Sequence, residues 1–177
     1  MDRQPEADYP WYAVVDTDEP LAQGDLFEVC PVLVPQVPWT DEREFEADIQ
    51  VYDVVVMSQS CDLQHGKLDL VLVCPVWDLG LFGEENSHYA TNKGREELRR
   101  GDAPGYQLVN CCELEGYERD FRVVDFRNVY GVPSGYLAAR TDAPRLRLLP
   151  PYREHLAQAF ARFFMRVGLP VDIPPFR

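Results

Sequence analysis

The stretch VVVMSQSCDLQHGKLDLVLVCPV, residues 54–76, contains two apolar runs separated by a short polar segment. Each run is near strand length and rich in β-branched residues, a composition that favours β-strands. The connection is short and contains Gly66, a typical turn residue. Residues 51–58 and 68–76 are therefore predicted to be neighbouring antiparallel strands, with the connection between them a loop at the rim of the sheet.

Further strands are predicted on both sides of this pair, where apolar runs are bounded by turn residues. They are YAVVD (12–16), QGDLFEVCPVLVP (23–35), YQLVNCCELEG (106–116), RDFRVVDFRNVYGV (119–132) and part of AARTDAPRLRLLPP (138–151). The polar, glycine-rich segment 80–105 is predicted to be irregular, apart from a short helix that Gly101 ends.

The segment PPYREHLAQAFARFFMRV, residues 150–167, is predicted to be a long C-terminal helix. It starts with proline, and Gly168 and Pro170 follow it, which is the usual pattern at the two ends of a helix. Apolar residues recur at helical spacing and should pack on the sheet, namely Tyr152, Leu156, Phe160, Phe163 or Phe164, and Val167. The fold class expected is α+β and mainly β, a curved antiparallel sheet or barrel with this terminal helix. Residues 1–177 are expected to form a single domain, with an acidic N-terminal segment at residues 1–20.

The net charge is −13, and residues 1–50 carry 13 acidic and 2 basic side chains. This charge disfavours a nucleic acid as partner, since such proteins usually present a basic surface. A local basic face remains open as a prediction, built from Arg145, Arg147, Arg153, Arg162 and Arg166. No apolar run approaches the roughly 20 residues that span a bilayer, and the N-terminus lacks a secretory signal. We expect a cytoplasmic protein without membrane contact.

The sequence contains five cysteines, an odd number that includes the adjacent pair Cys111 and Cys112. This arrangement does not suit a disulfide framework, so reduced thiols are expected. Cys30 and Cys74 lie inside apolar runs and are predicted to be small buried hydrophobic residues.

Several short motifs resemble the PemK/MazF-like toxin fold, over about residues 23–167. They are Gly24-Asp25 before an apolar strand, the apolar strand that ends at Ser58, the next apolar strand with Cys74-Pro75, and the late VVDF strand before the terminal helix. The resemblance implies an SH3-like barrel and, by the habit of that family, a dimeric ribonuclease restrained by an acidic antitoxin. Other stretches, such as SQSCDL, also resemble small bacterial proteins.

Two positions depart from the pattern of that family. Tyr52-Asp53 stands where the family usually has Arg-Pro, and Trp77 stands where it usually has Thr or Ser. Those family residues stabilise and activate the scissile phosphate. We therefore expect a partner-binding module on a toxin-like barrel, without the ribonuclease activity of the family. A protein partner or a second copy of the chain is the expected ligand.

The connection between the two central strands carries Cys61, Asp62 and His65, a set that also suits chemistry. A thiolate nucleophile needs a nearby base, which His65 or the more distant His88 would supply, and Asp62 would orient that base. Cys61 and His65 also form half of a zinc ligand set, although no Cys-x₂-Cys motif completes it. The plain reading is a tight turn with a partly buried cysteine. No cofactor is expected, with zinc as the alternative.

Three classes of function remain open from the sequence. They are a partner-binding module, a cysteine- or zinc-dependent enzyme using Cys61, and an endoribonuclease with a rearranged site. A basic concave pocket would favour the last class. A histidine within hydrogen-bond distance of Cys61 in a cleft would favour the second. An exposed apolar patch without either feature would favour the first.

Overall fold

A computed structural model describes residues 9–35 and 47–165. Its strands are β1 Tyr12–Val15, β2 Leu26–Pro35, β3 Ala47–Val56, β4 Leu70–Asp78, β5 Tyr106–Val109, β6 Arg122–Asp125, β7 Tyr130–Pro133 and β8 Arg145–Leu148. Its α-helices are α1 Ser60–Gln64, α2 Leu79–Glu85, α3 Ser87–Ala90, α4 Asn92–Arg100, α5 Ser134–Ala139 and α6 Tyr152–Phe164. A short 3-10 helix, Arg140–Asp142, follows α5. The predicted α+β class, mainly β, is confirmed.

The main sheet is antiparallel and has six strands, in the order β2-β3-β4-β6-β5, with β7 also paired to β4. β4 is long enough to pair with two strands on one side, since Leu70 to Val73 face β7 and Val76 to Asp78 face β6. A two-stranded ribbon of β1 and β8 lies beside the start of β2, to which it is joined by an isolated bridge between Asp25 and Arg147.

The strands do not close into a barrel within the described residues. Closure requires the two edge strands of a sheet to pair with each other. Here the edges are β2 and β5, and neither pairs with the other. The predicted antiparallel sheet is confirmed, and the described strands do not form the predicted barrel.

The predicted pairing of the two central strands is confirmed. Val54, Val55 and Val56 of β3 face Pro75, Cys74 and Val73 of β4. The prediction of a plain loop between them is wrong, because residues 60–64 form the short helix α1. An apolar contact explains the difference, since Leu63 of this helix packs against a buried cluster that contains Val54, Val56 and Val73.

The segment 80–105 is more helical than its polar composition predicts. The helices α2 and α3 occupy residues 79–90, and the prediction of an irregular segment there is wrong. Asp78 caps α2 by accepting the backbone N–H groups of Gly80 and Leu81. The short helix that follows is confirmed as α4, and it ends at Gly101 in the left-handed conformation.

Apolar residues cover both faces of the sheet centre, which explains why its strands are apolar runs and not alternating patterns. One core contains Val55, Cys74, Phe126 and Leu156, and the helix α6 closes this face. The other core contains Val54, Val56 and Val73, together with Phe27, Val132 and Leu137. A smaller third core lies under α2 and α4.

The terminal helix packs as predicted through part of its apolar stripe. Leu156 is fully buried, and Tyr152, Phe160 and Phe163 are partly buried against the same core. Phe164 is 59% exposed, which settles the choice between it and Phe163. The predicted end of the helix at residues 166–170 and the first eight residues of the acidic segment 1–20 lie outside the described residues. No helix in the described ranges is long and apolar enough to cross a membrane.

Candidate functional site: an arginine-lined pocket

The polar connection after β3 holds its backbone by serine hydrogen bonds. The Ser58 hydroxyl accepts the backbone N–H of Leu72 at 2.9 Å, and the Ser60 hydroxyl accepts that of Gln23 at 3.1 Å. The side chain of Gln23 donates in turn to the Met57 carbonyl at 2.8 Å. These serines therefore fix the start of α1 onto the sheet.

The structure places Cys61, Asp62 and His65 on or next to the exposed helix α1. The nearest polar contact of the Cys61 sulfur is Gln59 Oε1 at 3.8 Å, and Asp62 pairs with Lys67 at 3.4 Å. Among residues 9–35 and 47–165, no histidine nitrogen makes a hydrogen bond to Cys61. A reactive Cys61 therefore stays a prediction.

His88 lies on α3 and is not brought to Cys61 by any contact of the described chain. Its Nε2 lies 2.6 Å from Glu97 Oε2 on α4, and both side chains are partly exposed. This ion pair joins two neighbouring helices. Within the described ranges, no group of three or more His, Cys, Asp and Glu residues could hold a metal ion.

The cysteines are all free thiols. Cys30 and Cys74 are fully buried, which confirms the prediction that they act as small apolar residues. Burial raises the pKa of the Cys74 thiol to about 12, and it also raises the pKa of Cys30.

A different place in the fold gathers charged side chains in a concave site. A cavity of about 310 Å³, here called the arginine pocket, lies between the first half of β2, the start of β6 and the segment that leads into β8. Four arginines line it, together with one acidic residue among the described lining residues: Arg119, Arg122, Arg140, Arg145 and Glu28. This local charge has the opposite sign to the chain as a whole.

Glu28 reaches the pocket because β2 contains a β-bulge. The pairing of β2 with β3 shifts between Phe27 and Cys30, and Val29 has a φ of 53°. This left-handed conformation is strained for a β-branched residue. β-Bulges often redirect a side chain next to a functional site, and here the bulge turns Glu28 toward the arginines.

Two neighbouring side chains hold the bulge in place. Asp53 on β3 accepts the backbone N–H of Val29 at 3.1 Å. Arg140 donates to the carbonyl oxygens of Glu28 at 2.8 Å and Val29 at 3.2 Å. Arg140 thus donates these hydrogen bonds to neutral carbonyl oxygens, and no carboxylate balances its positive charge at these contacts.

Glu28 is the counter-ion of two pocket arginines. Its Oε1 accepts a hydrogen bond from Arg119 Nε at 2.9 Å and lies 3.7 Å from Arg122 Nη2. Arg122 lies 3.8 Å from Asp53 and is 8% exposed. The hydrogen bond with Glu28 raises the pKa of Arg119, so this guanidinium is charged at any physiological pH.

Arg145, which lines the pocket, also belongs to an ion-pair network around Asp25. Asp25, which is completely buried, accepts hydrogen bonds from Arg145 Nε at 2.8 Å and from Arg147. Burial works against the charge on Arg147, but its hydrogen bond to Asp25 leaves its pKa raised overall. Arg145 is 4% exposed, and its Nη1 has no hydrogen-bond partner in the described structure. A buried charged donor without an acceptor is costly and marks a place where an anion would be stabilised.

The predicted basic face of the C-terminal third is therefore reorganised. Arg145 and Arg147 turn inward to Asp25, whereas Arg153 pairs with Glu154 at 2.6 Å. Arg166 lies outside the described residues. A second, larger cavity of about 510 Å³ between α4 and α6 is also lined by arginines. Two of these, Arg99 and Arg100, already share Glu96 and lie at the C-terminal end of a helix, where cations are normal.

The sequence did not single out the arginine pocket, because its members are spread over more than 100 positions. One signal of this site was visible in the sequence at Gly24-Asp25. It predicted the start of a strand but did not predict the ion pairs of Asp25. The comparison with known proteins finds no protein-family model that matches the chain and no curated protein that matches it. The fold and the site together define an α+β protein with a cationic pocket.

Proposed function

We propose that this chain binds a phosphate of an RNA strand in the arginine pocket and acts as an endoribonuclease with a rearranged site. The observation that carries the proposal is the convergence of four arginines on one concave site in a chain of net charge −13. Guanidinium groups match phosphate oxygens with paired hydrogen bonds, and they bind nucleic-acid backbones in this way. A basic pocket in an acidic protein also confines the attraction to one place.

The pocket supplies the two kinds of group that cleavage of an RNA backbone needs. Glu28 would accept the proton of a ribose 2′-hydroxyl, whose oxygen then forms a bond to phosphorus. The bond from phosphorus to the 5′-oxygen breaks, and water protonates the leaving oxygen. Arg119 and Arg122 would stabilise the negative charge that develops on the phosphate oxygens. The products would be a 2′,3′-cyclic phosphate and a 5′-hydroxyl.

A relation to PemK/MazF-like, SH3-like toxins is part of this proposal. Gly24-Asp25 opens β2, and the runs that end at Ser58 and contain Cys74-Pro75 form adjacent strands, which is the layout that the resemblance suggested. The arginines at 119 and 122 would take over the role that the family gives to a residue near Tyr52-Asp53. That replacement reconciles the departures in the sequence with a cleavage activity.

The test is binding and cleavage of a fluorescently labelled single-stranded RNA by wild-type protein and by variants that still fold. Arg119→Gln and Arg140→Gln should each weaken binding about 10-fold or more, because each removes a guanidinium that the phosphate would contact. Arg99→Gln is the matched control, since Arg99 is exposed and pairs with Glu96 away from the pocket. Equal affinity for all four proteins, or RNA that stays intact, would contradict the proposal.

We also propose a partner-binding face, which a separate observation supports. Four large apolar side chains on β2 and β3 are strongly exposed, at 67% for Val29, 69% for Leu33, 68% for Ile49 and 53% for Val51. Leu33 faces Ile49 directly in the register of the hairpin. Exposed apolar groups of this kind often mark a protein interface. The prolines at 31 and 35 disfavour strand addition at the β2 edge, so a partner would sit on the face.

The acidic character of residues 1–50 favours a partner with basic residues around an apolar contact. Leu33→Asp should abolish such an interface, and Leu81→Asp is a control at an exposed leucine on α2. Sedimentation of the wild-type chain alone shows whether the partner is a second copy. The proposal would be contradicted if the wild-type chain is a monomer and Leu33→Asp does not change its binding to any partner.

A further inference from the structure

We propose that Glu28 is an internal counter-anion that occupies the arginine pocket in the free protein and has to move aside when a phosphate enters. Glu28 would thereby set the affinity and the selectivity of the pocket. This inference rests on the proposed phosphate-binding function. It goes beyond the identity of the ligand and explains how the free pocket excludes weakly binding anions.

The first support is the place that the Glu28 carboxylate occupies. Its Oε1 is in contact with Arg119 and lies 3.7 Å from Arg122, so one carboxylate oxygen lies where a phosphate oxygen would bind. A ligand phosphate and this carboxylate carry charge of the same sign and need the same donors. The two cannot hold these guanidinium groups at full strength at the same time.

The second support is that the Glu28 contact is easy to exchange. The side chains of Glu28 and Arg119 are 51% and 35% exposed, and solvent weakens an ion pair of this kind. By contrast, Arg122 and Arg145 are almost completely buried, so their surroundings would hold them in place when Glu28 leaves. In this proposal, the buried Arg122 and Arg145 are the fixed cations of the pocket, and the exposed Glu28 carboxylate is the anion that moves.

The third support is the backbone that carries Glu28. The bulge with its strained Val29 is held by Asp53 and by Arg140, and Arg140 itself lines the pocket. The bulge therefore fixes the point from which the carboxylate swings, so that Glu28 stays next to the bound phosphate after it leaves Arg119. This position suits its proposed role as the base in cleavage. An anion such as chloride would interact with the arginines too weakly to offset the loss of the Glu28 contact. A phosphate has several acceptor oxygens and would offset it.

The experiment separates binding from cleavage with a labelled oligoribonucleotide that carries 2′-O-methyl groups. This probe has no free 2′-hydroxyl and cannot be cleaved by the proposed route. Glu28→Gln keeps the size of the side chain and removes its charge, and it should bind the probe about 5-fold more tightly than wild type. On cleavable RNA the same variant should show a lower KM together with a much lower kcat. Glu118→Gln is the matched control, because it removes one charge next to Arg119 from an exposed residue outside the pocket.

The outcomes distinguish this inference from the proposed function. Tighter binding by Glu28→Gln and unchanged binding by Glu118→Gln support the inference. If the wild type binds the probe and Glu28→Gln binds it equally or more weakly, the inference is overturned. The proposed phosphate-binding function is not affected by that result. An equal gain in both variants also overturns it, since net charge alone would then explain the effect. Absence of binding by wild type and by Glu28→Gln overturns the proposed function itself.

Discussion

Asp25 and Arg145 form a buried ion pair, with 2.8 Å between Arg145 Nε and Asp25 Oδ2. Asp25 lies just before β2, and Arg145 begins β8, 120 positions later in the chain. The pair therefore joins the two-stranded ribbon to the main sheet and holds Arg145, which lines the arginine pocket. Asp25 also accepts the backbone N–H of Ala22, which fixes the turn that leads into β2.

Replacement of Asp25 by asparagine should destabilise the protein strongly. It leaves Arg145 and Arg147 without their shared carboxylate in a buried place, and loss of one partner of a buried pair costs about 3–5 kcal/mol. Chemical denaturation of Asp25→Asn measures this change in the free energy of unfolding. Asp18→Asn, at an exposed residue, is the control and should change it by less than about 0.5 kcal/mol. If both variants change the free energy of unfolding by a similar amount, the ion pair of Asp25 does not stabilise the fold.

Replacement of Val29 by glycine should stabilise the protein, which is unusual for a strand residue. The left-handed conformation of Val29 carries about 1–3 kcal/mol of strain, and the greater freedom of glycine in the unfolded chain offsets about 0.5–1 kcal/mol of the relief. We expect a net gain of about 1 kcal/mol in thermal or chemical unfolding. Val51→Gly, at an exposed residue of β3, should instead destabilise. A loss at both positions would mean that Val29 is not strained.

The packing of α6 predicts a graded response to alanine. Leu156 is fully buried, and its replacement should cost about 2–5 kcal/mol. Phe160 is partly buried and contacts Phe126 edge-on with 5.5 Å between ring centres, so Phe160→Ala should cost less, about 2 kcal/mol. Phe164→Ala is the exposed control and should stay within about 0.5 kcal/mol. Urea unfolding monitored by circular dichroism checks the order, and a larger loss at Phe164 than at Leu156 would contradict this packing.

The cysteines should separate into two classes of reactivity. Cys61 is exposed and should react with iodoacetamide in the native protein, whereas Cys30 and Cys74 should react only after unfolding, since burial also raises their pKa values. Mass spectrometry of tryptic peptides identifies the labelled sites. The same labelling, followed against pH with and without a chelator, tests the predicted reactive or zinc-bound Cys61. A Cys61 rate that the chelator increases would indicate a bound metal, and an ordinary pH profile would indicate a plain surface thiol.

The acid response of α4 follows from Glu96. Hydrogen bonds from Arg99 and Arg100 lower the pKa of Glu96 from 4.5 to about 2. A carboxyl group whose folded pKa is lowered stabilises the fold above its ordinary pKa, and this contribution is lost as the pH falls toward about 2. The protection factors of the α4 amides, which are corrected for the intrinsic exchange rate at each pH, should therefore fall between pH 4.5 and pH 2 in the wild type and change less in Glu96→Gln. A carboxyl NMR titration of Glu96 with a midpoint near 4.5 would contradict this expectation.

The sequence by itself determined most of the regular structure. The β-branched runs at 51–58 and 68–76 form paired strands, Gly101 ends α4, and Leu156 anchors the terminal helix. These outcomes depend on local preference and on periodicity, which a sequence displays directly. The helices α1, α2, α3 and α5 were not predicted, because short segments gain helical structure from caps such as Asp78 and from contacts with distant residues.

Only the tertiary structure decided the candidate site. Cys61 and His65 are four positions apart and still make no hydrogen bond to each other, whereas Glu28 and Arg119 are 91 positions apart and form an ion pair. Sheet pairing and one β-bulge bring the pocket residues together, and neither the pairing order nor the bulge is encoded in a short motif. The physical reason is that burial and charge at a site depend on which segments pack side by side. Gly24-Asp25 was visible in the sequence as the start of a strand, but the fold was needed to show that Asp25 is the anion shared by Arg145 and Arg147.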